Sequence, residues 1–339
     1  MILDMSNFWQ KLDKPIIGLA PMAGITDSPF RRIVKEWGAE LLYSEMISSH
    51  ALVYRNKKAF ELAKFRKMER PIIIQLFGRE PSIMAEAARI VGNEIKADGV
   101  DINFGCPAKR VVRSGHGAAL IDEPQLAGKI VRAMVKSIKI PLSVKTRLGE
   151  SKKTDIYDFA KKMEAMGAKA IAIHGRTLKQ GYRGLADWKP IYKVAEMVKI
   201  PVLGNGDIKN QKDIARVLAG SSQLSAGSRL AGILIGRGAF GNPFIFHGVK
   251  AIKKDPKRFI RNEGFEFAAV SSNERRETIL KQANYALETK RERGLIELRK
   301  HLAAYVKGNK KAKEIRSKLV QTSTIKEIEK VLKKYENYL

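Results

Sequence analysis

Short apolar runs alternate with longer amphipathic stretches over the first 247 residues of the chain. The runs are rich in β-branched residues, and the stretches between them repeat apolar positions at helical spacing. The apolar runs predict eight strands, at Ile16–Ala20, Leu41–Tyr43, Ile72–Phe77, Gly99–Asn103, Leu142–Thr146, Ala170–His174, Val202–Gly204 and Gly232–Ile235. The amphipathic stretches predict helices, among them Pro29–Trp37, Pro81–Ile95, Pro124–Ser137, Ile156–Met166 and Lys212–Leu218. Such alternation is typical of parallel βα units.

Eight strands with helices between them, in about 250 residues, predict a (β/α)8 TIM barrel of the α/β class. A doubly wound sheet is the alternative, but such a sheet normally has fewer strands. A barrel places functional groups at the carboxyl ends of its strands. Nearly every strand ends in a polar, basic or glycine group; the residues at the ends are Pro21-Met22-Ala23, Glu45, Gln75, Asn103 with Cys106, Lys145, His174 with Arg176, Asn205-Gly206-Asp207, and Gly236-Arg237.

An ordinary turn accounts for Asn205-Gly206-Asp207 by itself, since Asn, Gly and Asp favour turns. It accounts poorly for Gln75, Lys145 and His174, because each of them ends an apolar run and would point into the barrel mouth. We therefore expect a polar mouth, with Lys145 as a cation within it.

The pattern changes after residue 247. A charged segment, residues 248–272, is interpreted as a connector, and residues 273–339 as a small all-helical domain. Its predicted helices are Glu277–Arg291, Leu295–Tyr305, Lys310–Leu319 and Ile325–Tyr335. Lys307 to Lys313 holds four lysines and no acid, which favours contact with phosphates over an ordinary solvated face. A loop is predicted at Gly220–Gly227, before the last strand.

The formal net charge of +29 changes the picture, because so much self-repulsion costs stability unless a polyanion is bound. Nucleic acid is the favoured partner; an anionic membrane surface, or a generally lysine-rich proteome, is the alternative. No apolar run approaches the roughly 18 residues that span a bilayer. The N-terminal residues show no secretory signal, and a single cysteine fits a reducing compartment, so we expect a cytoplasmic protein.

The single cysteine, Cys106, stands between Gly105 and Pro107 at the end of the fourth strand. Most lone cysteines are buried small hydrophobic residues, but this position at a strand end is suited to chemistry. The one cysteine and five scattered histidines offer no metal-ligand spacing, so no metal site is predicted.

Gly236 to Gly241 matches the dinucleotide-binding pattern of glycines, but Gly241-Asn242-Pro243 interrupts the helix which that pattern requires. In a barrel, the loop after the eighth strand is instead a common phosphate site. Together with Asn205-Gly206-Asp207, this loop predicts a phosphorylated cofactor bound across strands seven and eight.

Six blocks of sequence, in order, resemble the tRNA-dihydrouridine synthase family, and its bacterial B-like branch most. The blocks are Ala20-Pro21-Met22-Ala23-Gly24-Ile25-Thr26-Asp27-Ser28-Pro29-Phe30-Arg31, Asp101-Ile102-Asn103-Phe104-Gly105-Cys106-Pro107, Lys145-Thr146-Arg147-Leu148-Gly149, His174-Gly175-Arg176-Thr177, Asn205-Gly206-Asp207-Ile208 and Ile235-Gly236-Arg237-Gly238-Ala239. Arg299-Lys300-His301-Leu302 resembles the helical tail of that family. His116, where the family usually has a small residue, is a departure from the pattern.

The resemblance implies an FMN-dependent enzyme that reduces uridines in the D-loop of tRNA, with NADPH or NADH as reductant. FMN would lie against Pro21, Met22 and Ala23. Gln75 and Lys145 would face its polar edge, and His174, Asn205, Gly206, Asp207, Gly236 and Arg237 would surround its phosphate. Hydride would pass to C6 of a flipped-out uracil held by Asn103 and Arg176, and Cys106 would give a proton to C5. We expect a monomer that binds tRNA and no membrane.

The chemistry of uridine reduction agrees with the residues found at the strand ends. Reduction of the C5=C6 bond needs a hydride donor on one side and an acid within reach, and an ordinary thiol is mostly protonated at pH 7. Two other hypotheses remain. A flavin barrel acting on a free pyrimidine would not need the basic helical tail, and a non-catalytic RNA-binding barrel would not need Cys106 or Lys145.

Overall fold

The structure, a computed structural model, describes residues 8–153, 155–221, 230–261 and 270–338. Its parallel strands are β1 (Ile16–Leu19), β2 (Leu42–Ser48), β3 (Ile72–Phe77), β4 (Gly99–Phe104), β5 (Leu142–Arg147), β6 (Ala170–His174), β7 (Val202–Asn205) and β8 (Gly232–Ile235). They are hydrogen-bonded in the order β1-β8-β7-β6-β5-β4-β3-β2. A parallel bridge between Gly18 and Leu41 joins β1 to β2 and closes the ring. The predicted (β/α)8 barrel is confirmed.

The α-helices of the barrel part are α1 (Phe8–Lys11), α2 (Ser28–Glu36), α3 (Ser49–Val53), α4 (Lys57–Ala63), α5 (Pro81–Ile90), α6 (Lys109–Arg113), α7 (Pro124–Ser137), α8 (Asp155–Ala165), α9 (Lys189–Met197), α10 (Gln211–Ser221), α11 (Val249–Lys254) and α12 (Pro256–Ile260). The helices that follow are α13 (Ser272–Lys290), α14 (Glu292–Tyr305), α15 (Ala312–Leu319) and α16 (Ile325–Lys334). Shorter 3₁₀ turns occupy Lys67–Glu69, Gly117–Ile121, Pro243–Phe246 and Glu336–Tyr338, and a π turn occupies Val91–Ile95.

Side chains alternate between the two faces of each strand, as the pleat requires. One set packs outward beneath the helices and belongs to the main core, for example Ile102 and Phe104 of β4. The inward set fills the barrel, with Ile73, Ala172 and Leu234 among its members, and Phe8 and Trp9 of α1 pack against it. The barrel interior is therefore a packed core, and polar groups from the strands concentrate at its carboxyl-terminal end, which we call the mouth.

The strand β2 differs most from its predicted bounds. It runs from Leu42 to Ser48 instead of from Leu41 to Tyr43, because its register against β3 shifts between Tyr43 and Met46 and admits the buried residues Ser44 and Glu45. Polar residues in a bulged strand do not show the period-2 pattern on which the prediction rests. The β3, β6 and β8 bounds agree with the predicted ones.

The residues interpreted as a connector form α11 and α12 as far as they are described. Val249, Ile252 and Phe259 from these helices belong to the main core of the barrel. Residues 262–269 lie outside the described part of the chain, as does the predicted loop Gly220–Gly227 from residue 222 onward. The domain boundaries at 247 and 273 stay a prediction.

The helices α13 to α16 share a second hydrophobic core, which also includes Phe244 from the turn after β8. Polar contacts join α13 to α2 of the barrel: Arg32 Nη1 lies 2.8 Å from Glu288 Oε2, and Lys281 Nζ lies 2.7 Å from Glu36 Oε2. The helical tail, α13 to α16, therefore packs beside the first βα unit. Within the described ranges, we find no helix long and apolar enough to cross a membrane.

Candidate active site

The loop after β4 holds Cys106 at the mouth. The side-chain oxygen of Asn103 accepts hydrogen bonds from the backbone N–H groups of Gly105, at 3.0 Å, and of Cys106, at 2.9 Å. The carbonyl of Cys106 in turn accepts from the N–H of Ala118 at 3.2 Å. Gly117 has a φ of +62°, and a Cβ added there would lie 3.1 Å from the Cβ of Cys106. The backbone around the half-buried thiol is thus fixed on both sides.

Arg147, the last residue of β5, ties this loop to the loop after β6. Its Nε donates to the carbonyl of Gly105 at 2.7 Å, and its Nη1 donates to the carbonyls of Thr177, at 3.2 Å, and Gly181, at 2.9 Å. Burial is the largest cause that lowers the pKa of Arg147 to about 10; Tyr182 and Cys106 act in the opposite direction, and the charges of Arg176 and Arg237 lower the pKa further. A guanidinium so placed remains charged at neutral pH and braces the cysteine loop.

Gln75 and Asn103 lie inside the barrel as neighbours. The Nδ2 of Asn103 donates to Oε1 of Gln75 at 3.1 Å and also lies 3.2 Å from the sulfur of Met46. Nε2 of Gln75 donates to Asp101 at 2.7 Å. The amide of Asn103 is therefore engaged on both sides, and its first role in this structure is to shape the loop of Cys106.

Lys145 projects into the mouth from β5, as predicted, and is partly buried. Its Nζ donates to Oδ1 of Asn205 on β7 at 3.2 Å, while Nδ2 of Asn205 donates to the carbonyl of Leu234 on β8 at 2.6 Å. Burial, followed by the charge of Arg147, lowers the pKa of Lys145 to about 8. The ammonium is thus still mainly protonated at pH 7 and ready to meet a negative charge.

His174 ends β6 and is 7 % exposed. Burial is the largest cause that lowers its pKa to about 2, followed by four cations, Arg147, Lys145, Arg176 and Arg237. The imidazole is therefore neutral at physiological pH. We call Lys145, Arg147, Arg176 and Arg237 the cationic cluster; all four lie at or just beyond the carboxyl ends of β5, β6 and β8.

Arg176 of the cationic cluster is buried and pairs with the partly buried Asp207. Nη2 of Arg176 lies 2.8 Å from each carboxylate oxygen of Asp207, and the same nitrogen donates to the carbonyl of Gly184 at 2.6 Å. Asp207 also accepts from the N–H of Ala186 at 2.7 Å, and its pKa stays below the usual range because these hydrogen bonds and Arg176 outweigh burial. Nη1 of Arg176 is buried and finds no hydrogen-bond partner among the described residues.

The loop after β7 approaches the loops after β6 and β8 too closely for side chains at two glycines. A Cβ on Gly206 would lie 2.7 Å from the Cβ of Ala186, and a Cβ on Gly238 would lie 2.0 Å from the carbonyl oxygen of Ile208. Gly236 faces Met22 of the loop after β1, since its added Cβ would meet Met22 Sδ at 3.6 Å. The predicted residues from β1, β7 and β8 are therefore brought together.

These residues fit a phosphorylated cofactor. The cationic cluster carries four positive charges against the one carboxylate of Asp207, and glycines leave the backbone open to close approach. Such a donor set is what a phosphate oxygen requires. Pro21 and Met22 are half-buried beside it and Ala23 is exposed.

Two site residues escaped prediction as separate candidates. Tyr182, in the loop after β6, places its ring 4.4 Å from the guanidinium carbon of Arg237 and 5.6 Å from that of Arg147. Arg147 lies two residues beyond Lys145, so strand alternation turns both side chains the same way. A second basic residue at that spacing is the sequence feature from which Arg147 could have been predicted. The sequence contains no such feature for Tyr182, because the conformation of the loop after β6 brings its ring to the site.

His116, the departure noted in the sequence, lies at the edge of the mouth. Its Nδ1 is 2.9 Å from the hydroxyl of Ser114, and its ring meets that of Phe77 edge-on, with centroids 6.0 Å apart. Burial is the first cause that lowers its pKa, and the charges of His50 and Arg79 act in the same direction. The contacts of His116 thus lie within its own loop and with the end of β3.

Comparison with known proteins places these features in a family. A sequence model described as "Dihydrouridine synthase (Dus)" matches residues 18–338. The chain is 34 % identical to a "Probable tRNA-dihydrouridine synthase" of Aquifex aeolicus over 92 % of this chain and 93 % of that protein. It is 40 % identical to a protein of the same description from Rhodobacter capsulatus, over 87 % of each chain. With "Probable tRNA-dihydrouridine synthase 1" of Synechocystis, identity is 33 % over 91 % of this chain and 82 % of that protein.

Proposed function

Because the chain belongs to the dihydrouridine synthase family, which comprises flavin-dependent oxidoreductases of tRNA, we propose that it reduces the C5=C6 bond of uridines in the D-loop of tRNA. FMN is the proposed flavin, and NADPH or NADH the proposed reductant. The observation that carries the proposal is the fixed position of the single thiol, Cys106, in the same barrel mouth as the cationic cluster.

The proposed cofactor residues fall into groups that would contact different parts of the flavin. Lys145 supplies positive charge beside the flavin ring, which gains negative charge on reduction. Gln75 has one amide hydrogen beyond that given to Asp101 for a ring carbonyl. The phosphate would be held by backbone and side-chain donors of His174, Asn205, Gly206, Asp207, Gly236 and Arg237, with Pro21, Met22 and Ala23 against the ring. When bound, FMN supplies the hydride for C6 of the uracil.

Cys106 is the proposed proton donor to C5. Its backbone is fixed by Asn103 and Arg147, so its thiol needs little reorganisation to meet a base that enters the mouth. Asn103 and Arg176 are the proposed uracil contacts. Since Arg176 is paired with Asp207, its Nη1 is the nitrogen that remains for such a contact.

The target uridine is paired or stacked in folded tRNA and must leave the stack to enter the barrel. The net charge of +29 favours a polyanion over a free nucleoside as substrate. The basic helical tail beside the first βα unit provides a surface for the body of the tRNA. We propose that the protein acts on it as a monomer.

The test compares Cys106→Ala with the unchanged protein. We expect the variant to purify with flavin absorbance and to bind tRNA normally, but to lose at least about 100-fold in uridine reduction, because general acid catalysis contributes roughly 10² to 10⁴. Nucleoside mass spectrometry of tRNA measures the product. Ser114→Ala, which removes another small polar group from the same loop, is the control and is expected to keep its activity.

Unchanged turnover by Cys106→Ala would overturn the assigned proton donor. A protein that takes up no flavin would overturn the enzyme itself, and equal reduction of free uridine and tRNA would favour the small-molecule barrel. Mapping dihydrouridine in tRNA from a deletion strain identifies the position that is modified.

A further inference from the structure

Asp101 is a buried carboxylate that the proposed chemistry has not used. It lies in the middle of β4, points into the barrel and is fully buried. The hydroxyl of Ser143 on β5 donates to Oδ1 at 2.6 Å, and the amide of Gln75 on β3 donates to Oδ2 at 2.7 Å. Among the described residues no Lys or Arg forms an ion pair with it. A carboxylate buried without an ion pair is costly, so its presence here calls for a reason beyond packing.

The hydrogen bonds between Asp101 and the cysteine loop have a fixed direction. The side-chain oxygen of Asn103 accepts two backbone N–H groups, those of Gly105 and Cys106. Its Nδ2 must therefore face Gln75, whose Oε1 accepts at 3.1 Å. Nε2 of Gln75 is then turned toward position 101, where only an acceptor can satisfy it.

We infer that Asp101 is a positioning residue for Cys106, which acts through Gln75 and Asn103 to hold the backbone of the catalytic loop. The inference rests on the proposed role of Cys106 as proton donor. Asp101 touches neither substrate nor cofactor in this arrangement; it fixes which way two amide side chains point. Without an acceptor at position 101, Gln75 is free to rotate, and Asn103 can then turn its amide and release the N–H groups of the loop.

The ionised carboxylate is the form that matches its partners. Burial raises the pKa of Asp101 to about 6, although the hydrogen bonds from Gln75 and Ser143 and the charge of Lys145 act in the opposite direction. A protonated Asp101 would present a donor where the Ser143 hydroxyl and the Gln75 amide both donate. The buried Tyr43 of β2 also faces this carboxylate, and burial keeps the pKa of Tyr43 well above the usual value, so Tyr43 stays neutral.

Alkylation provides a direct readout because Cys106 is the only cysteine in the chain. The rate at which iodoacetamide modifies it reports the position and exposure of the thiol, with or without turnover. We expect an inflection near pH 6 in the unchanged protein, superimposed on the ionisation of the thiol. Asp101→Asn does not titrate and, like the protonated acid, presents a donor beside its one acceptor, so this variant should lose the inflection and keep at higher pH the thiol environment that the unchanged protein has below pH 6.

Asp101→Leu removes the acceptor. We expect its turnover at saturating tRNA to fall about 10- to 100-fold with little change in KM, since misplacement of a catalytic group by about 1 Å has effects of this size. The alkylation rate should change as well. Asp98→Asn is the matched control: Asp98 is an acid near the start of β4 that accepts from the N–H of Ile72 at 2.8 Å, far from the mouth. It should leave both readouts unchanged.

If Asp101→Leu does not fold, Ser143→Ala takes its place. Loss of the Ser143 hydrogen bond disfavours the ionised carboxylate, so the inflection should move to higher pH. Asp101→Asn with the inflection intact, or Asp101→Leu with unchanged alkylation and turnover, would overturn the positioning role. Full turnover by Cys106→Ala would overturn the proposed function instead. The pH profile of alkylation would still test the positioning role of Asp101 independently.

Discussion

Gly206 lies where the loop after β7 passes over the imidazole of His174. Its φ is +129°, and a Cβ there would meet His174 Cδ2 at 3.0 Å as well as the Cβ of Ala186 at 2.7 Å. An added methyl group would thus displace a ring that the cationic cluster surrounds. The residue is constrained twice, by backbone conformation and by space.

We therefore expect Gly206→Ala to weaken FMN binding by about 10-fold or more, since His174 must shift, as measured by titration of the apo-protein with FMN. Gly308→Ala is the matched control, because Gly308 also has a positive φ, +91°, but has no atom within 4 Å of its added Cβ and lies in the helical tail. An FMN affinity that is equal in the two variants would contradict the assignment of the loop to the cofactor.

The sequence indicated the site residues that end strands, and the structure shows why. Gln75 and His174 follow the apolar residues Ile73 and Ala172 two positions earlier, and the pleat turns each of these pairs to the barrel interior. Lys145 follows the polar Ser143 in the same way. The hydrogen-bond partners of inward-facing residues could not be predicted from the sequence. That Asp101 meets Ser143 depends on the register of β4 against β5, which no local pattern encodes.

At the scale of elements, helix α13 begins at Ser272, five residues before its predicted start at Glu277. A capping box causes the difference: the Ser271 hydroxyl accepts from the N–H of Glu274 at 3.2 Å, and the Glu274 carboxylate accepts from the N–H of Ser271 at 2.9 Å. The Ser-x-x-Glu signal is present in the sequence, but the prediction followed apolar periodicity, which is weak in the first turns.

A buried ion pair anchors α2 to the segment before β3. Nε of Arg31 lies 2.6 Å from Glu69 Oε2, and both side chains are almost fully buried. Arg31 also donates to the carbonyls of Thr26, at 2.7 Å, and Lys64, at 2.8 Å, while the hydroxyl of Ser28 donates to Glu69 at 2.5 Å. The anchor holds the end of the loop that begins with Pro21.

Arg31→Met would leave Glu69 buried and without its cation. We expect the free energy of unfolding to fall by about 3–5 kcal/mol, as when one partner of a buried pair is removed, measured by urea denaturation. Arg55→Met is the control, since Arg55 pairs with Glu94 on the surface and surface pairs contribute little. Comparable losses in the two variants would show that burial of the pair is not what matters.

At the scale of the whole molecule, His301 joins the helical tail to the barrel. Its ring lies 4.9 Å from that of Phe30 on α2 and 5.2 Å from that of Phe240 after β8, measured between centroids. The ring is fully buried, and neither nitrogen has a hydrogen-bond partner within the described ranges. Burial is the main cause that lowers its pKa to about 3, and the charge of Lys300 adds to it.

The burial of a neutral His301 predicts that the free energy of unfolding decreases at acidic pH. Between about pH 3 and 6.5 the unfolded chain binds a proton at His301 that the folded chain refuses, so stability falls as pH decreases through this range. From pH 7 to pH 5 the loss should be about 2 kcal/mol. His301→Leu should remove this part of the pH dependence in denaturation experiments, whereas His50→Gln, at an exposed site, should retain it. Equal slopes for His301→Leu and the unchanged protein would contradict the prediction.

The positive charge is spread widely, yet one segment of the helical tail is suited to phosphates. Lys307, Lys310, Lys311 and Lys313, which we call the lysine patch, are all exposed. Lys311 Nζ lies 4.7 Å from the ring centroid of Tyr338, a contact that leaves its charge available. Helix α7 on the outside of the barrel offers a comparison, since Lys129, Arg132, Lys136 and the nearby Lys139 are also exposed.

If the lysine patch meets tRNA phosphates, replacing its four lysines with glutamine should weaken tRNA binding and reduce the salt dependence. Each lost phosphate contact lowers the slope of log K against log salt by about 0.7–0.9, so the slope should fall by about 3. The same substitutions at Lys129, Arg132, Lys136 and Lys139 change the net charge equally, and so they separate local contact from the overall field. Fluorescence anisotropy at several salt concentrations gives both slopes. Equal reductions would mean that the net charge attracts tRNA without the patch, and a flat response in the unchanged protein would remove the argument for a polyanionic partner.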